Sequence, residues 1–484
     1  MDLIKKSFDK NQWSFLRIRI GQGHFAGVVL HYQLLKVKSE SDKKRRIMKK
    51  RIIIVGGGFA GLNLAKQLTN DRYFEVTVVD INNYHFFPPL LYQVSTAFIE
   101  PSNISYPFRK LFQDRKNLRF YMGKLIRVIP ESNFIETDNG SLRYDYLVLA
   151  MGTETNFFGN ENIRQHALPM KTIDDALNIR NHILLQMEEA VRSTTILERR
   201  KLVNIVIAGG GPTGVEMAGM LAEMRHTISA KDYPEITRRT GSIYLVDGSS
   251  SLLKTMSEKA QIESYDVLDK LGVKIFLNTL VNNYLNGEVI LSNGKKISAA
   301  TLIWASGVIA REVNGLPKEV ITKGRRILVD EINRVQGFRN IFCIGDQCFQ
   351  PTDKNYPEGH PQLAGIAIDQ SKLLAYNLKQ LEENKPTTPF TCHHKGAAAI
   401  ISRYRAVIDV HKKSFKGFFA WFTWLLVHII PLIGFRNKLK IVSNWFWTFI
   451  TNDPTLRLVI RPDEKENEIT KSNYTLIQMR DEKR

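Results

Sequence analysis

Two stretches of the chain carry the same pattern of apolar and polar positions. KRIIIVGGGFAGLNLAKQL (50–68) is a basic cap, an unbroken apolar run, a glycine-rich turn and then apolar residues at helical spacing. KLVNIVIAGGGPTGVEMAGML (201–221) repeats it. A short continuous apolar run bounded by glycine reads as a strand buried on both faces, as in a parallel sheet. Each unit is followed by a further apolar strand that ends in an acid, FEVTVVD at Asp80 and GSIYLVD at Asp247. RYDYLVLAMGTETNFFG (143–159) is another buried strand running into a turn, and AATLIWASGV (299–308) is its counterpart in the second unit. NIFCIGD (340–346) is a late apolar strand ending in Gly345–Asp346. The order is first unit, whole second unit, then return to the first. It predicts an α/β chain with two Rossmann-like dinucleotide-binding domains, one inserted in the other. The expected boundaries are 48–165 and 336–385 for the outer domain and 166–335 for the inserted one.

The turns supply the chemistry. Gly56, Gly58 and Gly61 form G-x-G-x-x-G, and so do Gly209, Gly211 and Gly214. The first glycine allows the tight turn and the second lets a pyrophosphate approach the backbone. The third lets helix and strand pack closely, and the phosphates rest on free N–H groups at the helix N-terminus. One such match is weak, because ordinary turns also hold glycines; two, each between a buried strand and a helix, are specific. Asp80 follows Gly61 by 19 residues, the spacing of a ribose-hydroxyl acceptor, and Asp247 follows Gly214 by 33, across a longer insertion. A carboxylate at Asp247 repels a 2′-phosphate, so the second site should prefer NADH to NADPH. The bland reading of both acids is a solvated strand end.

Beyond residue 410 the pattern changes. GFFAWFTWLLVHIIPLIGF (417–435) has no charge and is about long enough to span a bilayer, but Pro431, His428 and its glycines disfavour that. LKIVSNWFWTFI (439–450) interleaves aromatic and polar residues. Two short apolar helices lying in a membrane interface fit both runs. Charge agrees. Of the formal net +20, residues 1–51 hold 14 basic against 4 acidic side chains, and residues 393–440 hold nine against Asp409 alone. Basic ends on a nearly neutral body suit an anionic lipid surface better than nucleic acid. No zinc-finger spacing appears and no metal is expected. Three cysteines are too few for a disulfide framework, which suits a reducing compartment. Segment 1–47 reads as a disordered basic extension or a mis-assigned start, since Met48 opens a natural beginning. A membrane-associated region is expected at 386–461 and a charged tail at 462–484.

In combination, VDINNYHFFPPLLYQVSTA (79–97), GGGPTGVEMAGML, NIFCIGD, HHKGAAAIISRYRAVIDV (393–410) and WFTWLLVHIIPLIGFRNKL are specific. The span 48–460 resembles a type II NADH:quinone oxidoreductase, a single-chain flavoprotein of respiratory membranes. The resemblance implies FAD at the first turn (Gly56, Gly57, Gly58, Phe59, Ala60, Gly61), at Asp80 and Ile81, at the backbone near Leu125, at Gly345 and Asp346, and at the backbone of Ala367. It implies NADH at Gly209, Gly211, Gly214, Glu216 and Asp247, with Gly307 nearby. A membrane quinone as acceptor and a homodimer also follow. So does a monotopic position on the cytoplasmic or matrix face of an energy-transducing membrane, in a bacterial cell the inner one. Glu216 is given a part in proton handling or cofactor positioning near the flavin–nicotinamide junction; the bland alternative is a first-turn carboxylate favoured by the helix dipole.

Two departures matter. Relatives carry a helix start like A-Q-x-A-x-Q beside flavin and quinone. Here the frame reads Ala364-Gly365-Ile366-Ala367-Ile368-Asp369, so Gly365 and Asp369 stand where the quinone should be hydrogen-bonded, and Gln362 and Gln370 are offset and expected to point elsewhere. Asp369 could donate to a reduced quinone if it held a proton, or it could simply face solvent. The family's G-R in the later motif is Ser402–Arg403. Cys343 and Cys348 have the C-x4-C spacing of a redox dithiol, but they straddle the flavin strand, so packing is the expectation. That also argues against a sulfide:quinone reductase. The reading is an enzyme that oxidises NADH through FAD and reduces a membrane quinone without pumping protons. Its rivals are an NADH reductase of the same fold with a soluble acceptor and a non-catalytic FAD/NAD-binding membrane sensor.

Overall fold

The computed structural model describes residues 48–225, 232–236, 240–393, 396–410, 413–451 and 458–459. The expected basic extension at 1–47 (save Met48 and Lys49 beyond it) and the charged tail at 462–484 lie outside them. The first unit runs β1 (Lys50–Val55), α1 (Phe59–Gln67), β2 (Phe74–Asp80), a short α2 (Leu91–Ser95), β3 (Leu118–Met122) and β4 (Tyr146–Leu149). β1 pairs in parallel with β2 and β4, and β2 with β3. All of Ile52 to Val55 is buried, as the unbroken apolar run requires, because helices cover both faces of a parallel sheet.

The second unit begins with β5 (Leu168–Pro169) and α3 (Ile173–Arg192), and continues through β6 (Ile205–Ala208), α4 (Pro212–Met224), β7 (Ile243–Val246), β8 (Val273–Phe276) and β9 (Thr301–Trp304). Its parallel sheet has the order β5-β9-β6-β7-β8. α3 opens on a capping box: Asp175 N–H donates to Thr172 Oγ1 at 3.1 Å while the Asp175 carboxylate accepts from Thr172 N–H at 2.8 Å. The chain then returns to the first sheet. β10 (Ile341–Cys343) pairs in parallel with β4, giving the order β10-β4-β1-β2-β3, and α5 (Ala364–Glu382) packs beside α1.

The C-terminal part is an antiparallel sheet of β11 (Ala397–Ser402), β12 (Arg405–Val410) and β13 (Lys413–Gly417), followed by α6 (Phe418–Ile429) and α7 (Phe435–Thr451). The two apolar runs are thus two helices with a turn at 430–434, and the second begins earlier than its aromatic cluster suggested. Among the described residues no helix is long and apolar enough to cross a membrane. α6 keeps Ala420 and Trp424 inside, while Phe418, Phe419, Phe422 and Leu426 are exposed; α7 buries Ile441 and exposes Phe435, Leu439, Val442 and Phe446. The spacings are helical, so each helix has an outward apolar stripe, the reverse of a surface helix in water. The hairpin is nevertheless tied down: Asn437 donates to Ser105 O at 2.9 Å, and Trp445 Nε1–H donates to Gln93 Oε1 at 2.8 Å.

β11 sits hard on α4. A Cβ at Gly219 would lie 1.6 Å from the Ile401 carbonyl oxygen. Gly219→Ala should therefore force the strand and helix apart and cost more than about 2 kcal/mol. Thermal unfolding checks this; a variant as stable as the wild type would show that the seam is not the tight contact described.

Candidate functional site

Each glycine-rich turn forms a cradle with the same three features. At the first, Gly56 has φ +105° and a Cβ there would meet Ala150 O at 2.3 Å; a Cβ at Gly61 would meet Gly56 O at 1.9 Å. Gly57 lies beneath the Phe108 ring, whereas Gly58 has nothing within 4 Å of its Cβ position. Gly209, Gly214 and Gly211 repeat these contacts against Ala305 O, Gly209 O and open space. In each turn the middle glycine of the motif alone has open space at its Cβ position. The open side faces the N-terminus of α1 or α4, whose unpaired N–H groups favour an anion. The residues therefore fit a dinucleotide pyrophosphate at each turn. Phe59 holds the start of α1 edge-on against His85 and Phe87, and Ala60 is buried beside Gly345.

The acids at the ends of β2 and β7 also match. Asp80 accepts from Gly57 N–H at 2.6 Å and Asn82 N–H at 2.8 Å; Asp247 accepts from Gly210 N–H at 2.5 Å and Ser249 N–H at 2.6 Å. Each carboxylate braces its turn through the main chain, and neither is the loosely solvated strand end that was the bland expectation. Burial pushes the Asp80 carboxyl up, and the main-chain donors draw it back. Ile81 is exposed beyond Asp80, and Leu125 starts a small antiparallel sheet just after Gly123 N–H meets Asp80 O at 2.9 Å. A Cβ at Gly307 would lie 3.3 Å from the Phe158 ring.

The return strand brings buried charge to the first cradle. Burial raises the Asp346 carboxyl, opposed by Lys171, Arg326 and a hydrogen bond from Thr153. Lys171 is itself lowered by burial, and its ammonium donates to Thr153 Oγ1 at 2.6 Å. The capping box positions this lysine, because Asp175 also accepts the Lys171 N–H at 2.9 Å. Gln362 and Gln370 correct the sequence reading: they do not point elsewhere. Gln362 donates to Asp346 O at 2.8 Å, and Gln370 Oε1 accepts Gly345 N–H at 2.7 Å, so together they clamp the turn. The neighbouring Ala367 is buried. Cys343 and Cys348 are free and fully buried, and burial holds both thiols up, Cys348 at about 11. They are not poised as a redox dithiol.

Glu216 lies beyond the first turn of α4, which contains no acid, so the helix-dipole alternative does not describe it. It is half-buried and faces β11. Burial pushes its carboxyl up to about 8 against a hydrogen bond from Ile400 N–H. Two turns on, Glu223 is pushed up to about 7 by burial, opposed by the Arg403 N–H and guanidinium. Buried Tyr92 lies in the field of both acids, and its hydroxyl accepts from Gln93 Nε2–H at 2.9 Å, the same glutamine that receives Trp445. A line of polar contacts thus runs from α7 to the neighbourhood of Glu216. At α5, Gly365 faces open space, and Asp369 pairs with Lys372 one turn on at 3.7 Å.

Lys171, Thr153, Glu223, Tyr92 and Gln93 were not singled out from the sequence. Lys171 stood next to a readable signal, the cap T-x-x-D in KTIDD. The others are assembled by long-range packing.

Paired cradles on two parallel sheets define a two-dinucleotide reductase, and a family model described as pyridine nucleotide-disulphide oxidoreductase matches residues 50–371. The chain belongs to that family. It belongs, more narrowly, to the type II NADH:quinone oxidoreductases. It is 32% identical over 413 residues to NdhA, of that name, from Mycobacterium tuberculosis, covering 83% of this chain and 87% of the relative. The Haemophilus influenzae enzyme of the same name is 27% identical, with 81% and 95% covered. The fold is similar to NDH2 of Plasmodium falciparum, solved in complex with NADH, with TM-score 0.77 at 22% identity over 85% of this chain and 100% of that one.

A carboxyl raised from 4.5 to about 8 on folding contributes stability that is present below pH 4.5 and is lost as pH climbs through 8. The melting temperature of flavin-loaded wild type should therefore fall relative to Glu216→Gln over that interval and then run parallel to it. Parallel curves throughout would mean that Glu216 titrates as an ordinary carboxylate.

Proposed function

We propose that the protein oxidises NADH through FAD and delivers the electrons to a membrane quinone without translocating protons. The observation that carries this reading is the tie between the outward-apolar α6–α7 hairpin and the Glu216 neighbourhood, through Trp445, Gln93 and Tyr92. An acceptor dissolved in the bilayer would meet the interior of the protein there. Bound FAD supplies hydride acceptance from the nicotinamide and electron transfer onward, which are its own chemistry. The chain binds and orients. Gly58 and the α1 N-terminus hold the first pyrophosphate, with Asp80, Ile81 and the backbone near Leu125 at the adenosine side. Asp346, Lys171 and the Ala367 backbone face the flavin side, kept in place by Gln362 and Gln370. Gly211, Gly214, Asp247 and Gly307 serve NADH, and Asp247 disfavours a 2′-phosphate by like charge.

Glu216 holds its proton near neutral pH, so it enters as a neutral acid that can hold or return a proton on the acceptor side. The missing glutamines leave an opening at Gly365, and with Asp369 turned to Lys372, water or main chain completes the hydrogen bonds to the quinone. The outer nucleotide domain is 48–165 with 336–385, the inserted one 166–335, and 386–461 is the membrane-associated part. An anionic lipid surface is the partner of that part, on the cytoplasmic or matrix face of an energy-transducing membrane. A homodimer goes with the same reading, and sedimentation of the solubilised protein measures it.

Anaerobic stopped-flow absorbance tests the function. NADH should bleach the flavin at least about tenfold faster than NADPH, from a like-charge cost of one to a few kcal/mol in a partly buried site. Added quinone should then restore the absorbance. Equal rates with both nucleotides would remove the role of Asp247, and no recovery with quinone would favour a soluble acceptor.

Deletion from about residue 411 should release a flavin-bearing protein from membranes. The full chain should need detergent rather than high salt, because burial of the apolar stripes outweighs screened attraction by the flanking lysines. Extraction by salt alone would contradict this anchoring.

A further inference from the structure

Between α1 and the α6–α7 turn lies a cavity of about 480 Å³, lined at one end by Asn63, Lys66 and Lys438 and at its mouth by Ile430, Pro431 and Phe435. That size is within the range of small-ligand sites, roughly 300–1,000 Å³. Two cations line it, Lys66 and Lys438, and a third, Arg115, lies close enough behind Lys66 to act on its charge. Lys66 is half-buried, and its ammonium is held below the usual range first by burial and then by the nearby charges of Arg115 and Lys438. Their partners are all neutral: Lys438 donates to Ile430 O at 2.8 Å, and Arg115 to Thr69 Oγ1 at 2.5 Å and Leu111 O at 3.2 Å. Among the described residues no carboxylate pairs with any of the three. Like charges gathered at a partly buried cavity with no counter-ion raise each other's cost, and an anion seated among them removes it.

We propose that this cavity binds the phosphate of an anionic phospholipid. The source is a lipid because of what surrounds the mouth. Ile430 is 73% exposed and Phe435 81%, and they continue the outward stripes of Phe419, Phe422 and Leu426 on one helix and Leu439 and Phe446 on the other. A phosphate reaching Lys66 and Lys438 leaves its acyl chains along those stripes, with the lysine stems extended toward the headgroup layer. The bound lipid then bridges the hairpin to α1, the helix whose other end forms the first cradle. The proposal rests on the membrane-surface reading and adds a defined headgroup site to it.

The test uses the full-length, flavin-loaded protein and co-sedimentation with vesicles of phosphatidylcholine alone or mixed with phosphatidylglycerol. Wild type should bind both, the mixed vesicles more tightly. The Lys66→Gln/Lys438→Gln variant should lose roughly tenfold or more on the mixed vesicles and little on the neutral ones. Arg436→Gln/Lys440→Gln removes the same charge from exposed positions of α7 outside the cavity and should lose clearly less. Equal losses in the two variants would reduce the effect to diffuse surface charge and overturn the site. Glycerol phosphate that binds the vesicle-free protein through Lys66 and Lys438, and is not displaced by mixed vesicles, would overturn the lipid as its source. If wild type binds neither vesicle, the membrane reading itself fails; if it binds both equally, only this proposal does. Flavin absorbance shows that each variant is folded, and Lys438→Gln alone, outside α1, should give the same direction should the double variant lose flavin.

Discussion

The close approach of a helix to its own strand at two turns organises the rest of the molecule. Gly61 lies against Gly56 O, and Gly214 against Gly209 O, at distances that no Cβ would tolerate. With each helix that near, its N-terminal amides stand at the carboxyl ends of the parallel strands. The next strand's acid is then in reach of the turn: Asp80 takes the Gly57 amide and Asp247 the Gly210 amide. Any side chain at the third glycine would lift the helix and open the cradle. The same economy of space recurs where β11 meets α4 at Gly219.

Buried charge is the second theme. Asp346, Lys171, Glu216 and Glu223 all sit where desolvation penalises the ionised form. Such groups cost stability and are kept where a ligand or a proton needs them. Asp346 and Lys171 offset each other's charge beside Thr153, next to the first glycine-rich turn. Glu216 and Glu223 lie along one face of α4 against the C-terminal sheet, the element that leads directly to the apolar hairpin. The fold thus places two of these acids, Glu216 and Glu223, between the second cradle and the sheet that carries the outward-apolar hairpin.

That surface is an inverted pattern. A hairpin that buries Trp424 and Ile441 but exposes a row of phenylalanines would associate or aggregate in water unless another apolar phase covered it. Its inner face is anchored to the body by Trp424, Leu432 and Ile441 in the core and by hydrogen bonds at Asn437 and Trp445, which fixes the hairpin while leaving the stripes free.

Much of this was legible in the chain itself. The two strand–turn–helix units, the acids closing their second strands and the late Gly345–Asp346 strand all follow from short-range rules: continuous apolar runs must be buried on both faces, and glycine spacing sets what a turn can approach. The apolar C-terminal runs were likewise visible, because helical stripes and flanking charge are local. What local pattern does not carry is which distant side chains meet. Gln362 and Gln370 look misplaced in the linear frame, yet the fold brings both onto the Gly345–Asp346 turn. Lys171 is one lysine among many until α3 is capped and aims it at Thr153. Gln93 joins Trp445 across hundreds of residues, and Lys66 joins Lys438 the same way. Sequence determined the cradles, since a turn's chemistry lies within a few bonds. Tertiary structure decided the charges between and around them, because desolvation and Coulomb fields depend on distance in space alone.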